Sequence, residues 1–294
     1  MTSKHVSRWR GAERDSQLAP GTYALITGAS MGLGRTFADV CAARGLGLIV
    51  VALPGSGLVE AAAEVAARHG VPALPYETDL TAPGSVEAMA AWIEARRFPL
   101  SVLINNAGVS YNARFEDSTL AENEGCILLN NLALVKVTHL LLPELRRHKR
   151  AYILNVASLA AFFPMPYQSI YAPSKTFILN FSQALREEMR HSPVCVSVLC
   201  PNGMPTTEAS RRKIAVGGLL GKLTTLDTER VATYAVDRML AGQGVIIPGL
   251  LNQVIAAVSR IAPRALVFAV MAGIWGRTAR RSKPPQIPAA PPTR

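Results

Sequence analysis

Short apolar runs alternate with helix-spaced stretches through most of this sequence, and that alternation leaves few folds open. The runs at 22–27, 46–53, 102–105, 151–156 and 194–200 are apolar at most positions, with shorter ones at 73–77 and 245–247. Helical spacing fills 33–44, 58–69, 85–96, 167–190 and 228–241. The stretch 122–148 reads as a loop leading into a helix, with Pro143 in its later part. A strand that is apolar on both faces belongs in a parallel sheet covered by helices on each side. Right-handed crossovers between such strands build a doubly wound α/β sheet.

The chain has 294 residues and 49% hydrophobic content, enough for one α/β domain with extensions. Residues 1–19 read as a flexible basic arm, 20–248 as the α/β domain, 249–282 as an apolar and basic helical extension, and 283–294 as a Pro-rich tail. The net charge of +11 is concentrated at the ends, in Lys4, Arg8, Arg10 and Arg14 and in Arg277, Arg280, Arg281, Lys283 and Arg294. No aromatic-interleaved basic stripe accompanies these charges, so they read as solvated tails and no nucleic-acid partner is expected. Cys41, Cys126, Cys195 and Cys200 form no C-x-x-C pair, and the histidines show no ligand spacing, so no metal is expected. No uninterrupted apolar run reaches the ~18 residues of a spanning helix. The longest, 265–276, lies between Arg264 and Arg277. The extension therefore has two readings: an apolar cover over a site, or a peripheral contact with a membrane surface.

The first strand runs into Thr27-Gly28-Ala29-Ser30-Met31-Gly32-Leu33-Gly34, and a helix follows. Gly28 permits a tight turn, Gly32 lets the backbone approach a pyrophosphate, and Gly34 lets the helix pack close to the sheet. The helix N-terminus then offers unpaired N–H groups to phosphate. Further along, Tyr171 and Lys175 stand at i and i+4, on one helix face if Pro173 lies in a first turn. A phenol ordinarily titrates near ~10, and an adjacent ammonium favours the phenolate, which tunes it for acid–base work.

The Thr-Gly-x-x-x-Gly-x-Gly spacing resembles the short-chain dehydrogenase/reductase family. So do Asp79-Leu80 after the third strand, Asn105-Asn106-Ala107-Gly108 after the fourth, Ser158 thirteen positions before Tyr171, and the Tyr171/Lys175 pair. The resemblance covers about residues 22–207. It implies a Rossmann-type fold and a bound NAD(P). It also implies a catalytic set of Asn130, Ser158, Tyr171 and Lys175. Asn131 is adjacent to Asn130, and the register of the downstream helix selects Asn130. The implied cofactor contacts are Thr27, Gly28, Ser30, Met31, Gly32, Leu33, Gly34, Asp79, Leu80, Asn106, Ala107, Gly108, Tyr171, Lys175, Pro201, Gly203 and Thr206. The family usually has Pro-Gly after the sixth strand, whereas this chain has Pro201-Asn202, and Asn tolerates a left-handed backbone.

The implied reaction is hydride transfer between a nicotinamide and a carbonyl/secondary alcohol pair. Tyr171 exchanges the proton, Ser158 holds the carbonyl oxygen, Lys175 lowers the phenol's pKa, and Asn130 serves a proton relay. The second strand ends Ala52-Leu53-Pro54-Gly55-Ser56, with neither the carboxylate that favours NAD nor the Arg that favours NADP; without a carboxylate the lean is to NADP. A lipophilic ketone or 3-oxoacyl derivative is the expected substrate, with a homodimer or homotetramer as the assembly and a cytoplasmic, membrane-associated location. The competing readings are a non-catalytic cofactor sensor or scaffold, and an epimerase or dehydratase on the same cofactor.

Overall fold

A computed structural model describes residues 18–204, 225–263, 265 and 267. Seven strands form one parallel sheet: β1 (Tyr23–Thr27), β2 (Gly47–Ala52), β3 (Ala73–Glu77), β4 (Leu100–Asn105), β5 (Ala151–Val156), β6 (Val194–Leu199) and β7 (Val245–Ile246). Their order is β3-β2-β1-β4-β5-β6-β7. The order reverses between β1 and β4, which opens a crevice beyond the carboxyl ends of the strands.

Successive strand residues supply opposite faces of the sheet. Ala24, Ile26, Leu48, Val50 and Ile104 meet helices α1 (Gly32–Ala42), α2 (Leu58–His69) and α7 (Thr228–Leu240) through Phe37, Cys41, Val65, Val236 and Met239. Leu25, Ile49, Val51, Leu103 and Ile153 meet α3 (Ser85–Arg96) and α5 (Leu134–Leu145) through Met89, Ile93, Val137 and Leu141. Helix α6 (Tyr171–Glu188) packs Ile178 and Leu179 against Val198. The apolar runs are thus buried on both sides, and the doubly wound sheet expected from the sequence is present.

The stretch 122–148 is more ordered than its composition suggested. Helix α4 (Leu120–Ile127) starts at a capping box, where Thr119 accepts from the Glu122 amide and its own amide donates to the Glu122 carboxylate. A π-helical turn, Leu128–Ala133, joins α4 to α5. Together they make one helix, Leu120–Leu145, long and apolar enough by length and composition to cross a membrane. No single uninterrupted run revealed it, because Glu122, Asn123, Glu124, Asn130 and Asn131 break the apolar sequence. One face of it, at Ala133, Val137, Leu141 and Leu145, belongs to the core.

Helix α8 (Leu250–Ile261) follows β7. It buries Asn252 and Ala256 and leaves Leu250 and Ile261 77% and 84% exposed.

Candidate active site

The turn after β1 is built from close approaches that only glycine permits. Gly28 takes φ +66°, and its amide and that of Ala29 donate to the Val51 carbonyl at 2.7 and 3.2 Å. A Cβ on Gly34 would lie 2.0 Å from the Gly28 carbonyl oxygen, and one on Gly28 would lie 2.9 Å from the Ala107 Cα. Helix α1 begins at Gly32 with no side-chain cap, so its first-turn amides are left for an anion. The arrangement fits a dinucleotide pyrophosphate.

Beneath the turn, the Thr27 hydroxyl accepts from the amides of Asn106 and Ala107, both at 3.0 Å. The Asn106 side chain donates to the carbonyls of Thr27 and Gly28 at 3.0 and 3.1 Å. Thr27 is buried, so its hydroxyl holds the two loops together rather than facing the crevice. Leu33 and Leu80 likewise turn their side chains into the core, while Met31 is exposed and Ser30 half-buried. Asp79 is exposed, and its carboxylate accepts from the Thr81 amide and hydroxyl at 2.8 and 2.7 Å.

At the end of β2 the structure adds a group that the strand pattern did not place there. Ala52 pairs with Glu77 of β3, and the Glu77 carboxylate accepts from the Gly55 amide at 3.1 Å. A carboxylate from the neighbouring strand therefore stands at the loop after β2. Arg35, the nearby cation in sequence, is paired with Glu64. The Ser56 hydroxyl is buried without a partner.

The remaining groups converge at the ends of β4 and β5. Ser158 follows β5. Its hydroxyl accepts from the Ala160 amide at 3.1 Å, capping the short turn Leu159–Phe162, and also hydrogen-bonds the Tyr171 phenol. Lys175 is 5% exposed; its Nζ donates to the Val156 carbonyl at 3.1 Å and lies 5.7 Å from the centre of the Tyr171 ring. Gly108 makes room for it, since a Cβ there would lie 3.0 Å from Asn130 Oδ1 and 3.3 Å from Lys175 Nζ.

Asn130 is buried in the π-helical turn. Its Oδ1 accepts from the Val109 amide at 2.9 Å, and its Nδ2 donates to the Val109 carbonyl at 3.1 Å and to the Ser174 hydroxyl at 3.0 Å. Asn131 instead donates to the Ser174 carbonyl at 2.9 Å. Asn130 therefore joins the loop after Gly108 to the first turn of α6, and both hydrogens of its amide are engaged in doing so. Ser174 was not singled out from the sequence. Its position between Tyr171 and Lys175 was the available signal, and its hydroxyl donates to the Tyr171 carbonyl at 2.7 Å.

The electrostatics of the unliganded site differ from the sequence expectation. Burial raises the Tyr171 pKa; the hydrogen bond with Ser158 opposes the shift and the Cys126 thiol adds to it. Lys175 is lowered to about 8, by burial first, with Cys126 and Cys200 opposing. The ammonium was expected to pull the phenol down. No such pull from Lys175 acts on the phenol here, and desolvation moves its pKa the other way.

The loop after β6 also departs from expectation. Asn202 does not adopt a left-handed backbone; among the described residues only Arg97 and Tyr167 do so without being glycine. The Asn202 side chain accepts from the Gly203 amide at 2.8 Å and reaches Asn252 of α8 at 3.3 Å. Pro201 is buried, and its carbonyl accepts from Leu159 at 2.7 Å. Thr206 lies outside the described residues.

A small cleft opens beside the phenol, lined among others by Tyr111, Ser118, Asn123, Cys126, Gln168 and Tyr171. Helix α8 packs against the turn Leu159–Phe162. The Arg260 guanidinium sits 5.1 Å over the Phe162 ring, in the turn that begins after Ser158.

Comparison with known proteins agrees with this geometry. The chain is 34% identical over 199 residues to a very-long-chain 3-oxoacyl-CoA reductase of Pyrenophora tritici-repentis, covering 66% of this chain and 58% of that protein. It therefore spans less than three fifths of that relative's length. It is 29% identical over 252 residues to the ketoacyl reductase HetN of Nostoc sp., covering 84% and 87%. Among solved structures, a short-chain dehydrogenase from Sphingobium yanoikuyae in complex with NADPH superposes with a TM-score of 0.69 at 27% identity, covering 91% of this chain and 99% of that one. A 7beta-hydroxysteroid dehydrogenase reaches a TM-score of 0.77 at 22% identity, covering 86% and 97%. The sequence model of the short chain dehydrogenases matches residues 22–215. The chain belongs to the short-chain dehydrogenase family.

Proposed function

We propose that this chain is an NAD(P)-dependent reductase acting on the carbonyl of a lipophilic 3-oxoacyl derivative. The observation that carries the reading is the convergence of Ser158, the Tyr171 phenol and Lys175 beyond β5, with Lys175 Nζ 5.7 Å from the centre of the Tyr171 ring and donating to the Val156 carbonyl at the end of β5. A protonated phenol beside a hydroxyl is ready to serve reduction as the general acid. The relatives named as 3-oxoacyl and ketoacyl reductases support the substrate class.

A bound reduced dinucleotide supplies hydride to the carbonyl carbon. Tyr171 and Ser158 hold the carbonyl oxygen, and the Tyr171 proton moves to that oxygen as the alcohol forms. Lys175, charged below about pH 8, steadies the phenolate left behind. Asn130 positions Val109 and Ser174, and through Ser174 the Tyr171 backbone. The proton relay that the resemblance implies for Asn130 runs through water and does not require its side-chain N–H groups, which are engaged by Val109 and Ser174.

A non-catalytic sensor has no chemical need for Ser158, Tyr171 and Lys175 within reach of one another, which favours the enzyme. The exposed apolar side chains of Ile127, Leu132 and Phe177 support a homodimer or homotetramer. The outer residues of α8, Leu250, Val254, Val258 and Ile261, support a membrane-associated cytoplasmic location.

The test is a nicotinamide-absorbance assay with NADPH and NADH against 3-oxoacyl thioesters of rising chain length. The reading expects turnover that improves with chain length. Cofactor binding without turnover on any carbonyl would return the sensor reading.

A further inference from the structure

The cleft beside Tyr171 carries hydrogen-bonding capacity that the fold does not use. Gln168 lines it three residues before Tyr171, on the approach to α6, and is only 5% exposed. Its backbone is engaged: its amide donates to Met165 at 3.1 Å and its carbonyl accepts from Ala172 at 3.0 Å. Its side-chain amide makes no hydrogen bond among the described residues. Asn112 stands between Tyr111 and Ala113, both of which line the same cleft, and its side-chain nitrogen and oxygen are both buried without a partner.

Such groups are rare in folded proteins, because a buried amide without a partner is less stable than an apolar side chain of the same shape. The backbone around them is also held out of its ordinary range. Tyr167 has φ +68°, and its carbonyl accepts from the Ala113 amide at 3.0 Å, tying the Asn112 segment to the Gln168 segment. An unfavourable backbone at Tyr167 and, beside it on the cleft wall next to the phenol, the Gln168 amide match a surface shaped for a ligand rather than for packing.

We propose that the Gln168 amide binds the second polar group of the substrate, the carbonyl that follows the reacting ketone in a 3-oxoacyl thioester. This rests on the reductase reading above and deepens it. The reacting oxygen is held by Tyr171 and Ser158. A second carbonyl two carbons away then reaches the cleft wall, where Gln168 donates to it. The amide is satisfied only when such a substrate is bound, so the site distinguishes a 1,3-dicarbonyl from a simple ketone of equal length.

The experiment compares the wild-type chain with Gln168→Leu and Asn112→Leu in three measurements. The first is kcat/KM for a 3-oxoacyl thioester relative to a chain-matched monoketone. The second is calorimetric titration of the thioester onto protein saturated with oxidised dinucleotide, where no turnover occurs. The third is the melting temperature without ligand. Gln168→Leu is expected to lower the dicarbonyl-to-monoketone ratio about tenfold, mainly through KM, and to weaken the titrated thioester about tenfold. The unliganded melt is expected to hold or rise in both variants, since an unpartnered amide has been removed. Equal losses on both substrates with a lower melt would mean a structural role and overturn the proposal. Unchanged selectivity and unchanged titration would overturn it as well. If the wild type reduces neither substrate, the reductase reading falls, and the titration still decides whether Gln168 binds the thioester.

Discussion

Lys175 Nζ donates to the Val156 carbonyl at 3.1 Å and stops 5.7 Å from the centre of the Tyr171 ring. The two side chains share one face of α6, and the strand end beneath them fixes how far the lysine reaches. The space it occupies exists because residue 108 has no side chain. Burial disfavours the charge on both groups, so the unliganded site holds a neutral phenol and a weakened ammonium.

That burial has a thermodynamic consequence at Lys175. Its pKa is about 8 in the fold against 10.5 when free. Between these values the unfolded chain binds a proton that the folded chain does not, so stability rises with pH across that window. Below about pH 8 the penalty is present in full, on the order of 3 kcal/mol. Lys175→Met is therefore expected to stabilise the unliganded protein at pH 7 by about 1–2 kcal/mol, after the lost bond to Val156 is counted. It should also flatten the dependence between pH 8 and 10.5. Urea unfolding at several pH values checks both, and a less stable variant at pH 7 would contradict the account.

The glycine turn makes a steric prediction. Gly34→Ala places a methyl group 2.0 Å from the Gly28 carbonyl, a backbone atom that cannot swing aside. The expected loss is about 3 kcal/mol, together with weakened dinucleotide binding. A thermal melt should fall by roughly 5–10 °C. An unchanged melt would mean that α1 is free to move away from the turn.

Glu77 makes an electrostatic one. Its carboxylate accepts from the Gly55 amide at the loop after β2, and the proposed dinucleotide reading puts the ribose there, where a 2′-phosphate would meet like charge. Glu77→Gln is expected to raise NADPH affinity relative to NADH by about tenfold, measured by fluorescence titration at low salt. A ratio that does not move would place the ribose away from Glu77.

Much of this was legible before any coordinates. The two-sided apolar runs at β1, β2, β4, β5 and β6 and the order of the motifs led directly to the sheet and its crevice. Less legible was whatever depends on contacts between distant segments. Glu77 lies on β3, and its role at the β2 loop follows from strand register, which the sequence does not display. The upward shift of the Tyr171 phenol reflects desolvation by its surroundings, which the Tyr/Lys spacing does not display. The Leu120–Leu145 helix was hidden because its polar residues, including Asn130, serve the site while its other face serves the core. Asn202 was read through its backbone tolerance, but its side chain decides its conformation by capping Gly203 and reaching Asn252.

The most direct test of the account is Tyr171→Phe. The substitution removes one hydroxyl and leaves ring packing and the Lys175 contact in place. Turnover with the best 3-oxoacyl substrate is expected to fall by at least a hundredfold, while dinucleotide affinity measured by titration stays within about twofold. A variant that keeps most of its rate would contradict the assignment of the Tyr171 phenol as the proton donor.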